Sequence, residues 1–232
     1  MSDLRVASTG AATPVELRDE ATFLPSRTQF FILLACYFGI QAITRALISE
    51  TFGLDDAYQV MLAQKLAWGY GPQPPLYTWL VIGVTRLLGT STFSLVLLKE
   101  ALLFTTYLLT YLNARWLTRR HVCGVVAAVA LQFIPSVSWE SQRDLTNTVL
   151  ASTLVMSTLF IFYRLDPKRW PAYVWLGICA GLGVLSKYNY VIFYLALLAG
   201  GLSLPGLRQR VWNRRMLLAL LISLVIVLPN LV

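Results

Sequence analysis

Apolar residues run along this chain in long blocks separated by short polar clusters, at 28–48, 94–115, 122–139, 145–163, 170–186, 189–204 and 215–232. A helix rises 1.5 Å per residue, so blocks of this length approach or cross a hydrocarbon layer of about 30 Å. Short segments of alternating polarity, as a membrane β-barrel would need, do not appear. The pattern predicts an all-α polytopic membrane protein with about seven transmembrane helices. A shorter block, 75–90, follows Pro74 and holds Arg86. It and segment 56–68 read as one or two interfacial helices. Residues 1–27 are polar and mixed in charge and read as a disordered cytoplasmic tail, which leaves 28–232 as one transmembrane domain. The tail has no apolar core of the signal-peptide kind, so the first block reads as an uncleaved anchor.

Composition agrees with this class. Only 13% of residues are charged, against about 25% in soluble domains. The net charge of +8 would suit a nucleic-acid partner in a soluble protein. Here the basic residues mark loops instead, and no nucleic acid is expected. Arg115, Arg119 and Arg120 form one cluster, Arg164, Lys168 and Arg169 a second, and Arg208, Arg210, Arg214 and Arg215 a third. By the positive-inside tendency these loops are cytoplasmic, and those at 140–144 and 187–189 face outward. The chain is then outside at Asp55 and inside at Arg119, so an odd number of crossings separates them. Block 94–115 is expected to cross and 75–90 to lie at or dip into the outer interface. Outside the tail the acids are Glu50, Asp55, Asp56, Glu100, Glu140, Asp144 and Asp166. All but Asp166 fall on or near the outer side. Cys36, Cys123 and Cys179 sit in apolar stretches without metal-ligand spacing and read as packing residues. His121 reads as an interfacial residue.

Four outward stretches carry polar chemistry. Asp55 and Asp56 open a helix. Asp56 with Gln59 three residues on suits a capping box, but capping uses only one carboxylate, and an ionised aspartate beside the bilayer is also a general base. In SWESQRDLTNT, Asp144 can cap the following helix and Arg143 can pair with Glu140. In YGPQPPLYTW, Pro74 and Pro75 impose an extended run before the interfacial Tyr77 and Trp79. In LSKYNY, Lys187 either snorkels to headgroups or meets a phosphate.

Taken in order, these stretches resemble the GT-C membrane glycosyltransferases of glycosyltransferase family 39, the protein O-mannosyltransferase and aminoarabinose-transferase type. Asp55-Asp56-Ala57-Tyr58 stands where that family has an Asp-Glu-Ala-Tyr-like motif. Gln73-Pro74-Pro75-Leu76 matches its Lys/His-Pro-Pro-Leu motif, and Asp144 its second external aspartate. Leu185-Ser186-Lys187-Tyr188 matches its Leu-Ser/Thr-Lys-Tyr-like motif. Asp56 replaces the usual glutamate, and Gln73 replaces a basic or imidazole residue. The resemblance covers roughly residues 28–230. Family members run to about twice this length, so the chain corresponds to an N-terminal half.

The resemblance implies a GT-C-like fold in a bacterial-type inner membrane. It also implies transfer of a sugar from a polyprenyl-phosphate donor to a lipid, glycan or protein hydroxyl, with the active site on the periplasmic side. In an inverting displacement Asp55 would take the acceptor proton and Asp144 would orient the acceptor or help position Asp55, with Asp56 also counted among the catalytic residues. Lys187 and Arg143 would stabilise the departing phosphate. Tyr58, Gln73, Pro75 and Tyr188 would line the substrate site. No cofactor is firmly implied, and a divalent metal could bridge carboxylates and phosphate. Two other classes stay open: a transporter or flippase of lipid-linked material, and a non-catalytic fragment.

Overall fold

A computed structural model describes residues 25–48 and 51–230. The expected tail, apart from its last three residues, and Glu50 lie outside the described residues. Among the described residues eleven α-helices follow one another: α1 Arg27–Ile48, α2 Leu54–Leu62, α3 Leu76–Leu88, α4 Thr92–Thr118, α5 His121–Ala130, α6 Ser141–Arg143, α7 Thr146–Phe162, α8 Pro171–Ser186, α9 Tyr190–Ser203, α10 Pro205–Val211 and α11 Arg214–Val227. Short 3-10 and π-helical turns link α5 to α6, and a 3-10 turn follows α11. Among the described residues there is no strand, only an isolated bridge between Tyr70 and Gln73. The protein is an all-α membrane protein, as expected.

The spans are less uniform than the apolar blocks suggest. Among the described residues two helices, α1 and α4, are long and apolar enough to cross a membrane singly, and the number is four if each of two bent pairs counts as one span. Block 122–139 is not one helix. Pro135 disfavours helical backbone at the residue before it, and Ile134 is extended, with φ −97° and ψ 107°. The two pieces of this block meet at a 79° bend. The second bent pair is α10 with α11, at 61°. Helices α3, α7, α8 and α9 are shorter apolar helices of 10–17 residues. Of the expected interfacial helices, the first ends at Leu62, well before residue 68. The second, α3, buries Tyr77 and Val81, four residues apart on one face, in the core.

Helix α4 touches α1, α3, α5 and α7 and so organises one half of the bundle. Phe30, Leu34, Phe38 and Ala42 recur every fourth residue and form the buried stripe of α1. The first three join a cluster with Leu103, Tyr107 and Tyr111 of α4, while the opposite side of α1 stays exposed, as suits lipid contact. Both long helices start on reciprocal side-chain caps: Ser26 with Gln29 on α1, and Ser91 with Ser94 on α4. His121 ties the start of α1 to the later turns of α4. Its Nε2 donates to the Pro25 carbonyl at 2.9 Å, so Nδ1 accepts from Tyr111 at 2.8 Å. The other half packs α8 against α7, α9 and α11. At Gly177 the α8 backbone comes so near α11 that an added Cβ would stand 2.5 Å from the Ala219 carbonyl oxygen. Small residues permit this close approach where apolar burial gives no drive between helices in lipid.

Candidate active site

The polar residues that interrupt the apolar pattern converge at the start of α2. The helix begins after Gly53, which gives no side-chain cap. Asp55 and Asp56 occupy its first turn, where the helix dipole favours negative charge. The expected capping box at Asp56 and Gln59 does not form. Successive side chains on a helix point about 100° apart, so the two carboxylates diverge.

Asp56 turns inward and is 3% exposed. Lys99 of α4, itself 1% exposed, places Nζ 3.0 Å from one carboxylate oxygen and donates to the other at 3.3 Å. Arg45, near the end of α1, donates to Asp56 at 3.3 Å and to the Arg143 carbonyl at 3.1 Å. Burying a carboxylate is costly unless it is paired and hydrogen-bonded, and here two cations meet one acid. Asp56 therefore ties α1, α2 and α4 together instead of facing the cavity described next.

Asp55 turns toward the start of α7. One of its oxygens accepts from the Leu145 amide at 2.9 Å. Leu145 has φ 60° and ψ 38°, a left-handed conformation that a leucine adopts only at a cost of about 1–2 kcal/mol. The expected cap at Asp144 is absent, since α7 has no side-chain cap bond. Instead Asp55 reaches across from α2 to hold the amide at this turn.

Asp55 also lines a cavity of about 350 Å³. Gln73, Asn147, Thr148, Lys187 and Tyr188 share its wall. Gln73 Oε1 accepts from Asn147 and, at 3.4 Å, from Gln59. The buried Gln59 is held in turn by Thr78, which donates to it at 2.8 Å. With its oxygen occupied, Gln73 keeps its amide NH2 as the group left to give. Lys187 Nζ donates to Thr148 Oγ1 at 2.8 Å, which uses one of three ammonium donors. Tyr188 donates to Asn230 at 3.3 Å. The wall thus combines one carboxylate, one ammonium and several amide or hydroxyl groups.

Four of the expected residues, Asp55, Gln73, Lys187 and Tyr188, are brought together here. Five stand apart from the wall. Asp56 is sealed in its ion pairs. Asp144 is paired with Arg143 at 3.3 Å. Arg143 therefore meets its neighbour and not Glu140, and its side chain is 73% exposed. Pro75 is buried at the start of α3, and Pro74 lines the cavity in its place. Tyr58 is exposed on the outer face of α2.

Sequence reading missed Arg45, Lys99 and Asn147, and took Gln59 only as a capping partner. The available signal was charge inside an apolar block: Arg45 and Lys99 are ionisable residues of the two longest helices, and such residues nearly always have a buried partner. As for a metal, no group of three or more His, Cys, Asp or Glu among the described residues is placed to hold one. Asp56 is already neutralised by two cations, so the residues present do not fit a bridging metal.

A family model described as dolichyl-phosphate-mannose-protein mannosyltransferase matches residues 72–232. Two proteins of Rhizobium johnstonii are similar over most of this chain. The lipopolysaccharide core galacturonosyltransferase RgtB is 39% identical, over 87% of this chain and 41% of its own length. The lipopolysaccharide core galacturonosyltransferase RgtA is 37% identical, over 86% and 40%. The lipid A galacturonosyltransferase RgtD of the same organism is 24% identical, over 78% and 38%. No solved structure matches. The chain therefore spans about two-fifths of the length of the curated relatives it matches. Helical architecture, an acid and an ammonium on one cavity, and these matches lead to one conclusion: the chain belongs to the GT-C membrane glycosyltransferases of the dolichyl-phosphate-mannose-protein mannosyltransferase family.

Proposed function

We propose that this chain carries the donor and acceptor site of a membrane glycosyltransferase. The enzyme moves a sugar from a polyprenyl-phosphate donor to a hydroxyl of a lipid-linked glycan at the extracytoplasmic face of the inner membrane. The names of the relatives favour a uronic acid as the sugar and a lipopolysaccharide core as the acceptor. One observation carries the reading: Asp55 and Lys187, 132 positions apart in sequence, share one cavity with the amide of Gln73.

The chemistry follows from these groups. The acceptor hydroxyl attacks the anomeric carbon, and its proton passes to the Asp55 oxygen not held by Leu145. The bond from the anomeric carbon to the phosphate oxygen breaks. The phosphate leaves with its negative charge, which Lys187 stabilises across the cavity. The NH2 groups of Gln73 and Asn147 suit a sugar carboxylate or hydroxyl. Asp144 acts through the turn that holds Leu145, and no step passes through a metal.

Replacing Asp55 with Asn keeps the shape and removes the base. Positioned general bases contribute roughly 100- to 10,000-fold, so transfer from a labelled polyprenyl-phosphate sugar is expected to fall by at least about 100-fold. The variant should still insert in the membrane. Turnover near wild type in that assay would rule out Asp55 as the base. Lys187→Ala is expected to weaken donor use more than acceptor use, read as separate KM values.

A further inference from the structure

A second polar cavity lies at the other end of α4. Lys99, beside the candidate active site, and Arg115 are 16 residues apart on this helix. That spacing corresponds to about 24 Å along its axis. The cavity measures about 320 Å³, and Arg27, Arg115, Arg119 and Arg164 line it together with Leu112 and Trp116. The four arginines come from the start of α1, the end of α4 and the turn after α7.

Among the described residues none of these arginines makes an ion pair; Asp166, the acid nearest in sequence, pairs with Arg169 at 3.7 Å. Two of them rest against one indole: the guanidinium carbon of Arg164 is 5.4 Å, and that of Arg119 5.8 Å, from the Trp116 ring centre. Trp116 stacks in turn on Tyr163, with ring centres 5.8 Å apart and planes 14° from parallel. Arg164 is fixed further by donating to the Phe160 carbonyl at 2.7 Å. An ordinary solvated basic loop spreads its charges into water. Here four like charges line one concave space, two of them on half-buried side chains, and an anion placed between them is attracted by all four. A guanidinium fork matches phosphate oxygens in pairs, and several arginines at a membrane interface match a lipid phosphate.

We propose that this cavity binds a phosphate anion, as the headgroup of an anionic phospholipid or as free phosphate or pyrophosphate. The site is separate from the candidate active site and does not depend on the proposed transfer reaction. A bound lipid phosphate would fix the depth of α1, α4 and α7 in the bilayer.

Native mass spectrometry of the delipidated chain, titrated with phosphatidylglycerol or phosphatidylethanolamine, tests this. A parallel titration with inorganic pyrophosphate is read by thermal shift. Phosphatidylglycerol is expected to bind at least about tenfold more tightly than phosphatidylethanolamine, in line with one or more charge-assisted contacts. Arg115→Gln with Arg164→Gln should remove that preference. Arg27→Gln with Arg119→Gln, at two exposed positions, should weaken it without risk to folding. Preference for the anionic lipid alone assigns a headgroup, and a response to pyrophosphate that the same variants abolish assigns a soluble anion. Equal binding of both lipids with no pyrophosphate response overturns the proposal, as does a preference that survives both variants. Deleting residues 2–24, which include Asp3, Glu16, Asp19 and Glu20, gives a further arm. An unchanged preference supports the proposal. A preference that appears only after the deletion shows that the chain's own acids fill the cavity, and overturns it.

Discussion

Asp55 and Asp56 are adjacent in sequence and opposite in environment, and helix geometry is the reason. A rotation of about 100° per residue sends one carboxylate to the cavity and the other to Lys99 and Arg45. Their substitutions should therefore fail in different ways. Asp55→Asn removes activity and leaves stability nearly unchanged. Lys99→Met leaves Asp56 buried with one partially exposed cation, and breaking a buried pair from one side costs about 3–5 kcal/mol. The double variant Lys99→Met with Asp56→Leu removes both charges and is expected to recover part of that loss, since the freed Arg45 can reach water. Chemical denaturation in detergent measures each, and a double variant no more stable than Lys99→Met alone would contradict a paired role. Sequence made the acid pair legible, because two carboxylates in so apolar a chain need a reason. It did not reveal which one turns inward. That depends on Lys99, 43 positions away, whose reach is set only once α4 packs beside α2.

Element boundaries were only partly legible, because hydropathy ignores the local chemistry that sets them. Ser91 and Ser94 cap α4 two residues before the apolar block at 94–115 begins, and Pro135 stops a helix that hydropathy alone runs through to residue 139. Apolar content says that a segment avoids water but not that it stays straight, and so the seven expected spans became two long helices, two bent pairs and three shorter helices. Packing between elements was not legible at all. Gly177 looks like any glycine in an apolar run until α11 is laid against it. Gly177→Leu would force a side chain into the Ala219 backbone. Overpacking of this kind costs about 1–3 kcal/mol, and thermal unfolding in detergent should register it. Gly200→Leu is the control, because an added Cβ there meets nothing within 4 Å. Equal losses at the two positions would mean that the α8–α11 contact does not limit stability.

At the scale of the whole molecule, charge sorts along α4. Lys99 with Asp56, and Asp55 with Lys187, gather toward one end, and the arginine cavity occupies the other. If the arginine end is cytoplasmic, as the excess of basic residues there implies, the candidate active site opens outward and a lipid-linked donor reaches it from the outer leaflet. Accessibility labelling decides this orientation. Cys36, Cys123 and Cys179 are first replaced by serine. A single cysteine is then placed at Tyr58, exposed on α2, or at Leu117, exposed near the end of α4. In intact spheroplasts a membrane-impermeant maleimide should label position 58, and position 117 should react only after the membrane is opened. Both labels from outside would place the two cavities in one compartment, and the assignment of the acid pair to an extracytoplasmic site would fall. The reverse pattern would invert the chain and bring Asp55 to the cytoplasm, where a donor in the outer leaflet could not reach it.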